Sequence, residues 1–210
     1  MHRLGFLHTS PVHVPVFDRL VTLGDADADP RHIVEEALLR DARAQGPRAV
    51  RTRVEEHLAA LRDEGAEIIC CTCSTIGDVA ERAAFDVPVF RVDRPMAVRA
   101  IELGPRIGVV VALESTIAPT RALLHDAATT AHRRIEESIV IADRAWDSFE
   151  RGDHDGYLVE IAATARALAC RTDVIVLAQA SMADAEPLLT DLAVPVLTSP
   201  ASAVAHMLGL

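Results

Sequence analysis

Apolar residues in this chain gather into short, nearly unbroken runs of Val, Ile, Leu and Phe, separated by longer stretches where they recur at helical spacing. The runs are Arg3–Leu7, Glu67–Cys71, Val87–Val92, Arg106–Ala112, Ile135–Ile141, Asp173–Ala178 and Val194–Leu197. So little polar alternation predicts strands covered on both faces, as in a parallel sheet. Of the intervening stretches, Arg48–Glu64 sets Val50, Val54, Leu58 and Leu61 on one face and stops at Gly65. Asp93–Leu103 opens on Asp93, carries Pro95 in its first turn and ends before Gly104. Alternating strands and helices predict an α/β fold. Asp25, Asp27, Asp29 and Glu36 have the spacing of a calcium loop. Pro30 stands where that loop needs glycine, and no helix precedes it, so the segment reads as a solvated loop leading into a helix near Arg31.

The chain also repeats itself. Glu67-Ile-Ile-Cys-Cys-Thr-Cys73-Ser-Thr75-Ile-Gly-Asp78 aligns with Asp173-Val-Ile-Val-Leu-Ala-Gln179-Ala-Ser181-Met-Ala-Asp184. Acid meets acid, strand meets strand, and Thr75/Asp78 falls on Ser181/Asp184. Val87-Pro-Val-Phe answers to Val194-Pro-Val-Leu, and Arg3-Leu-Gly-Phe-Leu to Arg106-Ile-Gly-Val-Val. Self-similarity at half the chain length predicts two homologous Rossmann-like lobes with mostly parallel sheets, related by a pseudo-twofold duplication. The boundaries are set at 1–98 plus 200–210 for the first lobe and 99–199 for the second. Cys73 and Gln179 are expected to face each other across a cleft.

Composition then removes whole classes of chemistry. All 21 basic residues are arginine, so lysine Schiff bases and phosphate-loop lysines are excluded. A net charge of −10 and 3% aromatics argue against nucleic acid and against an anionic membrane. No apolar run is long enough to span a bilayer and the N-terminus has no signal-peptide core, so a cytoplasmic protein is expected. Cys70, Cys71 and Cys73 crowd one strand end and Cys170 stands alone, which reads as reduced thiols, not a disulfide framework. No zinc or other metal site is expected, since Cys70-Cys-Thr-Cys73 lacks two further ligands at matching spacing.

The chemistry sits where strands end. In each copy the strand enters a helix whose expected cap signature is Thr75…Asp78 or Ser181…Asp184. Helix N-termini bind anions, and open α/β sheets take ligands at the carboxyl edge. Cys73 lies at the first such turn, where a helix terminus favours thiolate and makes it a candidate nucleophile or proton-transfer group. Cys70 and Cys71 read as core. His8, Thr9 and Ser10 leave the first strand at the same edge and are candidate ligand contacts.

With these residues in view, the chain resembles the aspartate/glutamate racemase superfamily, which includes hydantoin racemase, maleate isomerase and arylmalonate decarboxylase. The resemblance rests on the duplication and on Cys73-Ser74-Thr75 after a strand, similar to the family's Cys-Asn-Thr. It implies an isomerase or racemase-like enzyme acting on a small carboxylate or dicarboxylate without a cofactor, and a homo-oligomer such as a dimer. It assigns catalysis to Cys73. Ser74, Thr75, Gln179, Ala180 and Ser181 become carboxylate-binding groups, with Ser115 and Thr116 as further binders. Family racemases place a second cysteine in the other lobe; here that position is Gln179, whose amide has no acid–base chemistry. One-cysteine chemistry is what remains. Decarboxylation or another carbon–carbon lyase reaction, with Cys73 as proton donor, is the alternative, and a non-catalytic carboxylate-binding protein is the third reading.

Overall fold

A computed structural model describes residues 2–210. The chain divides into two compact units, one running to Asp93 and taking in Pro200–Leu210, the other spanning Arg94–Ser199. The first holds β1 (Arg3–His8), α1 (Val14–Gly24), β2 (Asp29–Val34), α2 (Glu36–Gln45), α3 (Arg51–Asp63), β3 (Ile68–Cys71), α4 (Gly77–Glu81) and β4 (Val89–Arg91). The second holds α5 (Arg94–Leu103), β5 (Arg106–Val111), α6 (Glu114–Thr130), β6 (Glu136–Ile141), α7 (Ala145–Glu150), α8 (His154–Ala169), β7 (Val174–Leu177) and β8 (Val196–Leu197). The chain ends in α9 (Ser199–Leu208). Each unit has one four-stranded, all-parallel sheet, ordered β2-β1-β3-β4 and β6-β5-β7-β8. Two similar α/β lobes are therefore present, as the repeat predicted.

The likeness extends to atoms. Glu67 accepts a hydrogen bond from the backbone N–H of Arg3 at 3.2 Å, and Asp173 does the same for Arg106 at 2.9 Å. The paired acids of the repeat thus clamp the start of the central strand in each lobe. Gly5 and Gly108, matched in the repeat, are both close-approach sites. A Cβ on Gly5 would lie 3.0 Å from Ala66 and Ile69, and one on Gly108 would lie 2.8 Å from Ile175 and 3.0 Å from Thr172. A side chain at either position would crowd the neighbouring strand and the chain leading into it.

Apolar side chains cover both faces of each sheet. In the first lobe Leu7, Leu38, Val54, Leu58, Leu61 and Ile69 make one core. On the other face Leu4, Phe6, Phe17 and Cys70 pack with Ala203, Val204 and Met207 of α9. The second lobe repeats the arrangement with α5 and α6 on one face and α8 on the other.

Two expectations are corrected. Asp29–Val34 is a strand, not a solvated loop, and α2 begins at Glu36 instead of near Arg31. It pairs only with β1, so its outer edge is unpaired and can carry Pro30 and the charged residues that disguised it. The lobe boundary lies at Asp93/Arg94 and not at 98/99. Met96, Ala97, Ala100 and Ile101 pack as one helix face into the core of the second lobe, so α5 cannot be divided. No helix among the described residues is long and apolar enough to cross a membrane.

Candidate active site

In both sheets the order reverses between the first and third strands of the lobe, and open α/β sheets bind ligands at the carboxyl ends of such a pair. In the first lobe that point lies between the exits of β1 and β3. It gathers His8, Thr9 and Ser10 on one side and Thr72, Cys73, Ser74 and Thr75 on the other. Thr72 seals the junction, its backbone N–H donating to the Leu7 carbonyl at 3.0 Å. Cys73, Ser74, Thr75 and Thr9 are all nearly buried, with Cys73 retaining 8% of its surface.

Alternation along β3 sends neighbouring residues to opposite faces. Cys71 and Cys73 fall with Leu7 and Ile69 in the core formed with α2 and α3. Cys70 falls on the α1/α9 face, and Thr72 meets His8 there. The Cys71 thiol donates to the Cys73 carbonyl at 3.9 Å. Burial pushes the Cys70 and Cys71 thiols well above their usual range, so both stay protonated and inert.

His8 occupies a different setting from the one expected. It is fully buried, and both ring nitrogens are engaged: Nδ1 with Thr72 Oγ1 at 2.8 Å and Nε2 with His32 Nδ1 at 2.8 Å. His32 Nε2 in turn meets Asp18 Oδ1 at 3.0 Å. Phe6 stacks on His32 and Phe17 leans on His8. Burial, with His32 and His13 nearby, lowers the His8 pKa to about 3, and burial lowers that of His13 to about 4. His8 is therefore a neutral link in a Thr72–His8–His32–Asp18 chain. His32 is hidden in the sequence because β2 reads there as a loop, and Asp18, on α1, meets it only in the folded lobe. Once β2 is paired with β1, Phe6 opposite His32 puts that ring on the His8 face.

The expected helix caps are also corrected. Residue Ile76, not Thr75, precedes α4, and no side chain caps that helix, which is only five residues long. The helix-terminus argument for Cys73 goes with it. In the second lobe Gln179 is the cap position of a 3-10 helix, Ala180–Leu189, again with no side-chain cap. Ser181 instead bonds the buried Tyr157 hydroxyl at 2.7 Å, beside Met182 in the α8 core. A buried tyrosine hydroxyl needs such a partner, and the pairing turns Ser181 inward.

Gln179 stands at the exit of β7, its Oε1 accepting from the backbone N–H of Ala112 at the exit of β5, 2.6 Å away. Thr116 is buried near the start of α6, its N–H donating to Leu113, and the Ser115 hydroxyl is buried with no partner among the described residues. Ala180 is buried.

The sequence reading also missed a fully buried ion pair. Arg91 at the end of β4 grips Asp93 through Nε–Oδ1 at 2.6 Å and Nη2–Oδ2 at 2.8 Å, and Nη2 also donates to the Ser74 carbonyl at 3.3 Å. Opposite charges two apart on a strand end, inside Val89-Phe90-Arg91-Val92-Asp93, were the available signal. Among the described residues no cluster of three or more His, Cys, Asp or Glu side chains is placed to hold a metal.

A family model described as Asp/Glu/Hydantoin racemase matches residues 42–207. No curated protein matches the sequence significantly. Among solved structures, glutamate racemase from Francisella tularensis subsp. tularensis SCHU S4 is 14% identical, with a TM-score of 0.74, covering 99% of this chain and 80% of that one. Aspartate racemase from Picrophilus torridus is 15% identical, TM-score 0.70, covering 100% and 95%. A glycine-to-cysteine variant of arylmalonate decarboxylase is 14% identical, TM-score 0.65, covering 99% and 93%. At these identities the likeness is one of fold.

Proposed function

Because the chain belongs to the Asp/Glu/hydantoin racemase family, we propose that it is an isomerase or racemase-type enzyme acting on a small carboxylate through Cys73. The observation that carries this reading is the Cys73-Ser74-Thr75 turn at the sheet's switch point, where Cys73 keeps 8% of its surface exposed. No lysine is present to form a Schiff base, and the chemistry is assigned to this chain's own residues without a cofactor. Ser74 and Thr75 offer hydroxyl and peptide N–H donors to a carboxylate, and Thr9 and Ser10 border the same point. In the second lobe Gln179, Ala180, Ser115 and Thr116 surround the equivalent switch point. Ser181 contributes there through Tyr157 packing.

Gln179 cannot return a proton, so the step assigned to Cys73 is one that a single thiol completes. In isomerisation of an unsaturated acid, the Cys73 thiolate adds to the double bond and the electron pair moves onto the carboxylate as an enediolate. Rotation about the new single bond follows. Collapse of the enediolate then expels the thiolate, and no atom is gained or lost.

The same single thiol favours a second reading, decarboxylation. There the carbon–carboxylate bond breaks, carbon dioxide leaves, and the enediolate takes the Cys73 proton, which solvent restores. The test is a panel of cis-unsaturated diacids, 2-substituted malonates and 2-amino acids, followed by proton NMR in heavy water. Cis–trans conversion without gas release supports the first reading, and carbon dioxide release supports the second. Turnover that persists in Cys73→Ser removes the thiol from either. Binding without turnover of any member leaves a carboxylate-binding protein.

A further inference from the structure

We propose that Arg91 and Asp93 are positioning residues for the candidate site, holding the peptide that follows Cys73-Ser74 so that the Thr75 N–H is presented to a carboxylate. The inference rests on the carboxylate reading above. Both side chains are almost completely buried, at 2% and 1% exposed. A buried ion pair gives little net stability, because desolvation offsets most of the attraction, so its value lies in the geometry it imposes. Here that geometry is a two-toothed fork: Asp93 fixes the guanidinium plane, and the Nη2 that bonds Asp93 also donates to the Ser74 carbonyl.

The consequence follows from peptide planarity. The 74–75 peptide is trans, so its C=O and N–H point in opposite directions within one plane. Drawing the Ser74 carbonyl toward Arg91 turns the Thr75 N–H away from Arg91. A lysine in place of Arg91 could neutralise Asp93 but could not hold both partners in one plane.

Residue 77 bears the mark of the same device. A Cβ on Gly77 would come within 2.8 Å of the Arg91 Cβ and 3.2 Å of its Nε. The chain can thus enter α4 over the arginine only because residue 77 has no side chain. Arg91, Asp93 and Gly77 form one unit beneath the turn that carries Cys73, and none of them needs to touch substrate.

Malonate, followed by 15N–1H NMR, is the probe. In the parent protein malonate is expected to shift the Thr75 amide resonance. Arg91→Met/Asp93→Asn, which leaves no lone buried charge, is expected to stay folded and to bind malonate at least tenfold more weakly, with the Thr75 response lost. Arg91→Lys and Gly77→Ala, which keep a cation at 91, are expected to weaken binding by smaller factors, and they decide the matter if the double variant does not fold. Parent-like malonate affinity with an unchanged Thr75 shift in the folded variants overturns the positioning role. In the parent, malonate shifts elsewhere in the first lobe with none at Thr75 overturn this inference alone, and no malonate-induced shift at all overturns the carboxylate reading and this inference with it.

Discussion

Gln179 Oε1 accepts a 2.6 Å hydrogen bond from the backbone nitrogen of Ala112, so the counterpart of Cys73 in the sequence repeat is tied across the exits of β7 and β5. The amide has a structural task at that position. It is a bridge between two strand ends, and it neither takes nor gives a proton near neutral pH.

The unmodified protein is accordingly expected not to racemise glutamate or aspartate, since removal of a proton from one face and return to the other needs a base on each side. Gln179→Cys is expected to cost about 1 kcal/mol of stability, as the Ala112 N–H loses its partner. The same variant is expected to exchange the α-proton of an acid that fits, read as deuterium incorporation in heavy water. Rapid glutamate racemisation by the parent would show that another group serves as the second base.

The cysteines separate by burial. Cys70→Ser and Cys71→Ser each place a hydroxyl in an apolar core and are expected to lower the unfolding free energy by roughly 1–3 kcal/mol. Cys73→Ser, at the edge of that core with 8% of its surface exposed, should cost less stability than either while abolishing turnover. Urea unfolding midpoints check the first statement. Thiol labelling of the native protein checks the assignment behind it, with the exposed Cys170 reacting readily and Cys70 and Cys71 not at all. Modification of Cys70 or Cys71 without unfolding would contradict it.

Acid should weaken the first lobe through two histidines held neutral, the buried His8 and the half-buried His13. His8 and His13 have folded pKa values of about 3 and about 4, below the ordinary 6.5, so the unfolded chain binds protons that the folded one refuses. Their contribution is fully present above about pH 6.5 and declines as pH falls toward 4 and then 3. Each neutral histidine gives a slope of about 1.4 kcal/mol per pH unit inside its window. His8→Gln is expected to be less stable than the parent at pH 7 and to lose less on acidification. Melting temperatures between pH 7 and pH 4 test this, and parallel curves for the two proteins would count against a neutral buried His8.

The sequence by itself determined the parallel α/β class, the two lobes, and the strand end that carries Cys73. Those follow from local patterns: apolar runs marking doubly covered strands, and paired acids and glycines recurring at half the chain length. It could not reveal β2, because an edge strand has half its surface free and tolerates proline and charge. Nor could it reveal the partners of polar side chains. His8 meets His32, Tyr157 meets Ser181, Gln179 meets Ala112, and Arg91 meets Ser74, across gaps of 17 to 67 residues in the chain. Strand register brings His8 to His32, helix packing brings Tyr157 to Ser181, and a buried polar atom takes whatever partner the tertiary packing supplies. The tertiary structure therefore decided the setting of the site, turning His8 and Ser181 inward and placing an unannounced ion pair beneath the Cys73 turn.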